Sequence, residues 1–366
     1  MSRPSKKIAY YITPHGFGHA VRSLEIVRIL HSMAPGNEVT IVSDIPEFLV
    51  LQNLGHQVPY RRRRIDIGLV QQDSIQFDLA ATLSALRALQ TRSAETIGEE
   101  SHFLRSNSFD LMVADIPFLP FRAANACGIP SIGIGNFTWD WIYSMYAERD
   151  PQWRTIIDWI REGYDRCELL LQLPMHGDCS SCPHRRDVPL VARKAKRSRL
   201  QTRKVLGIDP RRPAYLIAFG ALDLDPSAQR SIQEISDALF LYKHPLHYTL
   251  KNGLCVDPFD LSYADVVAAV DAVITKPGYG IVSDCLAHGT PMVYSDRGPF
   301  PEYPILVETM QRELAVSFIP TEDLYSGRWE TAIRAIQGMA PRKPALRTDG
   351  AELCARMILE RMTEKG

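Results

Sequence analysis

Short apolar runs that alternate with helix-patterned stretches, in two separate series, restrict this chain to an α/β architecture. "KIAYYIT", "EVTIVSD", "DLMVADI", "SIGIGNF" and "LLLQL" form the first series, and "AYLIAFG", "AVITK" and "PMVYSD" the second. Strands separated by helices rather than hairpin turns need crossover connections, and so build parallel sheets. Between the series lies "RKAKRSRLQTRKVLGIDPRRP", which is polar and basic with no strand pattern. It places a partly helical hinge around residues 186 to 212. A chain of 366 residues exceeds one ordinary core. The expected division is a domain over 1–190, a basic linker over 191–212, a second domain over 213–345, and a closing segment over 346–366. In that last segment "DGAELCARMILERM" reads as a capped helix from Asp349 that returns to the first domain.

Composition narrows the function classes. Lys plus Arg and Asp plus Glu number 42 each, so no global field draws the chain to nucleic acid or to an acidic membrane. No stretch approaches 18 uninterrupted apolar residues, and the run "IAYYI" is too short for a signal sequence. The expectation is a cytoplasmic protein without a transmembrane segment. Seven scattered cysteines fit reduced thiols better than a disulfide framework.

Each series carries a glycine turn between a strand and a helix. In "PHGFGHAV", Gly16 and Gly18 follow the first strand, and Val21, Leu24, Val27 and Leu30 give the next segment a helical apolar stripe. Such a turn lets backbone approach a ligand and aims unsatisfied helix N–H groups at an anion, usually a phosphate. Val21 stands where the third glycine of a dinucleotide fingerprint belongs, so that fingerprint is incomplete. Asp44 keeps an NAD reading open, and a turn without ligand is the plain alternative. The second turn, "ITKPGYGIVSDCLAHGTPMVYSDRGPFPEYP", is richer. Lys276, Gly278, Tyr279 and Gly280 precede Asp284, whose carboxylate suits a ribose diol while the helix N-terminus faces a diphosphate. Arg297 suits phosphate and Glu302 suits sugar hydroxyls at the carboxyl end of the sheet; a surface ion pair is the alternative. Gly220 of "IAFGA" offers another close backbone approach.

The second stretch resembles the donor-binding segment of GT-B glycosyltransferases, α/β proteins whose two Rossmann-like domains face each other across a cleft. "YYITPHGFGHAVRSLEIVRIL", "VADIP", "NFTWDWIY", "DVPLVARKAKRSR" and "KPGYGIVSDCLAHGTPMVY" together resemble the glycosyltransferase-like N-terminal region of plant L-arabinokinases and stand-alone bacterial relatives. The resemblance runs from about residue 6 to residue 340. It implies an acceptor-side N-terminal domain and a donor-side C-terminal domain. It also implies a nucleotide-sugar donor, uridine-based by family habit, a small-molecule or glycan acceptor, and no separate cofactor. The family carries Glu where this chain has Asp284, which shortens the carboxylate's reach. These residues lack the Ser-rich phosphate loop of the sugar-kinase part, so arabinokinase activity is not expected of them.

Glycosyl transfer needs a base for the acceptor proton and positive potential for the departing diphosphate. His19 lies at the N-terminus of the first helix, where partial positive charge keeps an imidazole neutral. The resemblance implies a base at this junction, oriented by an aspartate later in the domain, and Asp115 is the candidate. His15 and Asp140 are rival bases; Trp139, Trp141 and Tyr143 either stack on a sugar or pack internally. The expected reaction is direct displacement with inversion. The alternative readings are a nucleotide-sugar epimerase and a non-catalytic nucleotide-sugar-binding regulatory module, with helix capping or packing as the plain role of His19.

Three further motifs call for lesser readings. "HGDCSSCPH" gathers His176, Cys179, Cys182 and His184, but four ligands in so short a loop strain a zinc tetrahedron, so a thiol-bearing loop and no metal is the expectation. The pair Asp223 and Asp225 matches a metal-binding D-x-D or a helix-capping loop. "RRRR" at 61–64 and the basic hinge read as solvated faces, with peripheral contact to an anionic acceptor or membrane as the functional minority.

Overall fold

The computed structural model describes residues 5–70, 77–340 and 342–363. They form two compact units, the first from residues 5–70, 77–192 and 347–363 and the second from 193–340 and 342–346.

The first unit opens with β1 (Lys7–Ile12), α1 (Phe17–Met33), β2 (Glu38–Ser43), α2 (Glu47–Leu54) and β3 (Tyr60–Arg62). Two helices, α3 (Leu79–Thr91) and α4 (Ser93–Ser106), lead to β4 (Leu111–Asp115), α5 (Leu119–Cys127) and β5 (Ser131–Gly135). It continues through α6 (Trp139–Ala147), α7 (Trp153–Tyr164), β6 (Leu170–Gln172) and β7 (Arg185–Asp187). The sheet is parallel in the order β3-β2-β1-β4-β5-β6-β7. Strand order reverses between β1 and β4, and these central strands are buried on both faces, as their near-continuous apolar sequences require.

The second unit contains α8 (Arg199–Val205), β8 (Ala214–Ala218), α9 (Pro226–Gln233), β9 (Leu239–Tyr242) and β10 (Gly253–Cys255). Then come α10 (Tyr263–Ala269), β11 (Ala272–Thr275), α11 (Tyr279–His288), β12 (Met292–Tyr294), α12 (Glu302–Glu313) and β13 (Val316–Phe318). Two helices, α13 (Thr321–Ser326) and α14 (Glu330–Gln337), complete it. Its parallel sheet runs β10-β9-β8-β11-β12-β13, reversing between β8 and β11. Both units are Rossmann-like.

The final helix, α15 (Gly350–Thr363), belongs to the first unit and packs on α1. Gly350 makes this possible, because a Cβ there would stand 2.1 Å from the carbonyl oxygen of Pro189. Burial on α1 extends beyond its apolar stripe, to Arg22, Ser23 and Glu25 as well as Leu24 and Val27.

The basic stretch after residue 192 is part of the second unit rather than a separate linker. Ser198 and Gln201 form a capping box on α8. Asp265 accepts from the backbone N–H of Lys196 and Arg197 at 2.7 and 2.8 Å. Arg203, which the sequence places on a solvated face, is 1% exposed. It donates to Asp271 and to the carbonyls of Ala269, Asp209, Pro210 and Arg212. In the "RRRR" run Arg61 and Arg63 pair with Glu100, whereas Arg62, which reaches Asp44 at 2.7 Å, and Arg64 are exposed as expected of a solvated face.

Candidate active site

The first glycine turn leaves β1 at the point where strand order reverses. Ile12, its last residue, pairs with Asp115, the last of β4. Gly16 precedes α1 with φ +78°, a conformation that glycine adopts without steric cost. Gly18 lies in the first turn of α1, which brings His19 over the end of β4.

Nδ1 of His19 is 2.9 Å from Oδ1 of Asp115. The same carboxylate accepts from Arg22, with Nη2 at 2.6 Å from Oδ1 and Nε at 2.7 Å from Oδ2, and from Ser23 Oγ at 2.7 Å. Burial alone would raise the Asp115 carboxyl, but the charge and hydrogen bonds of Arg22, with the hydrogen bond of His19, hold it well below the usual carboxylate range. Arg22 Nη1 donates to Oδ1 of Asn136 at 2.6 Å, and the Phe137 ring stands edge-on to His19 at 5.5 Å. Arg22, Ser23 and Asn136 escape the sequence reading. The available signal was the i, i+3 spacing that sets Arg22 on the His19 face of α1.

His15 is placed differently. Its Nδ1 accepts from the backbone N–H of Leu69 at 3.4 Å, and its ring meets Trp139 edge-on at 5.1 Å. A Cβ at Gly68 would fall 2.6 Å from that nitrogen, so only glycine fits there. Trp139 and Tyr143, candidates for stacking on a sugar, are each 1% exposed and stack on one another. They serve the core by fixing the 66–68 loop, since Trp139 Nε1 donates to Asp66 at 3.0 Å and Tyr143 OH to the Gly68 carbonyl at 2.7 Å. Trp141 packs over Gly177. Asp140, the other rival base, is buried and accepts from Ser181 Oγ at 2.6 Å and Arg161 Nε at 3.3 Å.

Asp66 is fully buried, and burial pushes its carboxyl up to about 6 against the pull of the Thr13 and Trp139 hydrogen bonds and of Arg64. A raised acid favours the protonated native state, so this contribution to stability is complete below the unfolded value of 3.8 and is lost as pH rises through about 6. Asp66→Asn is therefore expected to flatten the fall in melting temperature between about pH 4 and pH 7. Parallel profiles for the two proteins would contradict the assignment.

In the second unit, β11 ends at Thr275, whose hydroxyl donates to the Ala218 carbonyl of β8 at 2.6 Å. The Gly220 loop and the Lys276–Gly280 turn thus lie at the same carboxyl edge, on either side of the strand-order reversal. Gly278 is the N-cap of α11, and a Cβ at Gly220 or Gly278 would meet nothing within 4 Å. Arg297 and Glu302 do come together, at 2.7 Å, as a mostly buried pair rather than a surface one. Arg297 also donates to the Pro277 carbonyl at 3.0 Å and lies over Phe300, tying α12 to the glycine turn.

Asp284 lies in α11, beyond the glycine turn. It is 1% exposed, and its carboxylate is taken by Arg193, through the guanidinium and through the backbone N–H at 3.2 Å. This guanidinium also lies over Tyr263. Direct contact of Asp284 with a ribose would have to displace an ion pair.

The minor motifs separate in the same way. Cys179 and Cys182 are buried while His176 and His184 are exposed, so the four do not converge. Burial pushes the Cys179 thiol up to about 12. Among the described residues no group of three or more His, Cys, Asp or Glu has the geometry of a metal site. Asp225 caps α9 by accepting from Ala228 N at 2.8 Å. Asp223 lines a cavity of about 220 Å³ with Gly220, His247 and Tyr248.

Two parallel Rossmann-like sheets, each with a glycine turn where strand order reverses, define the GT-B fold of glycosyltransferases. The chain is similar to the glycosyltransferase of kitacinnamycin with a TM-score of 0.60 at 17% identity, over 100% of this chain and 96% of that one. A UDP-glucosyltransferase from Polygonum tinctorium gives a TM-score of 0.60 at 13% identity, over 100% and 94%. In sequence, the L-arabinokinase of Arabidopsis thaliana is 30% identical over 356 residues, 96% of this chain and 34% of that protein. The chain therefore spans about a third of the length of this relative. No family model matches the sequence. No helix among the described residues is long and apolar enough to cross a membrane.

Proposed function

We propose that this chain is a glycosyltransferase that moves a sugar from a nucleoside diphosphate donor to a hydroxyl acceptor, a small molecule or a glycan, with inversion. The observation that carries the reading is the 2.9 Å contact of His19 with Asp115 at the strand-order reversal of a GT-B fold. In this reading Nε2 of His19 takes the acceptor proton as the hydroxyl oxygen attacks the anomeric carbon. The bond from that carbon to the diphosphate breaks, and the leaving charge is met by the N–H groups at the start of α11 and by Lys276. Arg297 and Glu302 act as a pair that fixes the glycine turn. A uridine nucleotide is favoured, supported by the similarity to a UDP-glucosyltransferase.

Thermal unfolding with a panel of nucleoside diphosphates and nucleotide sugars, beside NAD and ATP, tests this. A ligand at 100 times its dissociation constant stabilises the native state by about 2.7 kcal/mol. Stabilisation by uridine diphosphate and its sugar conjugates is expected, and stabilisation by NAD alone would overturn the assignment. Nucleotide binding with sugar isomerised in the absence of acceptor would indicate an epimerase. Binding without turnover would indicate a regulatory module, a reading favoured by the match to part of a longer protein named as a kinase.

A further inference from the structure

Arg22 is 3% exposed and sits one turn after His19 on α1. A guanidinium only donates and remains charged, while an ionised carboxylate only accepts, at about four positions. Arg22 and Ser23 fill both positions on Oδ2 of Asp115 and one on Oδ1. Nδ1 of His19 faces Oδ1 at 2.9 Å. With hydrogen on Nδ1 that contact is a donor to the carboxylate, and Nε2 is then the basic nitrogen. Nη2 of Arg22 also stands 2.9 Å from Nδ1. Two donors cannot bond each other, so this approach sets positive charge against the ring edge and opposes imidazolium.

We propose that Arg22 is a positioning residue of the dyad, which neutralises Asp115, fixes hydrogen on Nδ1 and keeps His19 an uncharged base. Without Arg22, the buried Asp115 charge would have His19 as its nearest compensating cation, and the proton would be held as an ion pair instead of being exchanged with an acceptor. The other groups facing the cluster do not supply that compensation. Burial pushes Tyr10 of β1 up, well above its ordinary range, and Cys354 of α15 up to about 12, so both are neutral. Asn136 and Phe137 carry no charge, and Asp66, whose charge couples to Asp115, is a further acid. For its use in turnover the inference rests on the reading of His19 as the base; its test does not.

Imidazole ¹⁵N spectra of the full chain, with His19 assigned by comparison with His19→Gln, give both the tautomer and the protonation midpoint. The expected wild-type spectrum at pH 8 has hydrogen on Nδ1. Arg22→Met is expected to raise the midpoint by about one pH unit or more, and Arg22→Lys, which restores charge without the fork, to bring it part of the way back. Hydrogen on Nε2 in the wild type overturns the proposal whether or not any variant folds, and so does an unmoved midpoint in Arg22→Met. Because neither donor nor acceptor is present, a failure here is distinct from a failure of the nucleotide-sugar reading, which the unfolding panel reports.

Discussion

Replacing His19 by alanine is expected to lower turnover by roughly 100- to 10,000-fold, the range that a positioned general base contributes, with nucleotide affinity close to that of the wild type. The split follows from where the groups are. His19 and its partners belong to the first unit, whereas the glycine turn at 276–280, with Arg297 and Glu302 behind it, belongs to the second. The contacts described for the turn are made within the second unit, so binding of uridine diphosphate measured by calorimetry should survive the change. Wild-type turnover in His19→Ala would remove His19 from the role of base. Equal losses in turnover and in nucleotide affinity would make it a binding or structural group. Asp115 is held ionised far below the working range, so an acid limb in the wild-type rate profile reports another group.

Arg203→Ala should be among the most destabilising single changes in the second unit, at about 3–5 kcal/mol. The side chain is 1% exposed and satisfies four backbone carbonyls besides the Asp271 carboxylate. Alanine leaves those carbonyls without this donor and opens a void where the arginine stem packed. Lys204, next in sequence and exposed, is the control: Lys204→Ala should stay within about 0.5 kcal/mol. Denaturant melts of both variants, followed by a probe in the second unit, decide it. Comparable stability of the two would mean that the carbonyls find other donors.

Much of the fold was legible because its signal is local. Every apolar run named from the sequence became a strand, including β1, β4, β8 and β11 at the centres of the two sheets. Those are the strands buried on both faces, where apolar content is highest. The edge strands β3, β7, β10 and β13 are three residues long and partly exposed, so they carry little pattern to read. β9, "LFLY", is apolar but only four residues long. The position of His19 was likewise readable, since a histidine at a strand-to-helix glycine turn is a local fact.

The fate of the charges was not legible. From the sequence, Asp284 offers itself to a ribose, Arg203 to solvent, and Arg22 to nothing in particular. Each is instead committed to a partner far along the chain: Arg22 to Asp115, 93 residues away, Arg193 to Asp284, 91 away, and Arg203 to Asp271, 68 away. Strand and helix periodicity depend on neighbours a few residues apart, so the sequence alone determined the two α/β series and their glycine turns. Ion pairing depends on which strands lie side by side and on which α-helices cover them. Sheet order and the return of α15 onto α1 therefore decided which acids and bases are buried together, because a charge removed from water must be met by whatever group the tertiary structure has placed beside it.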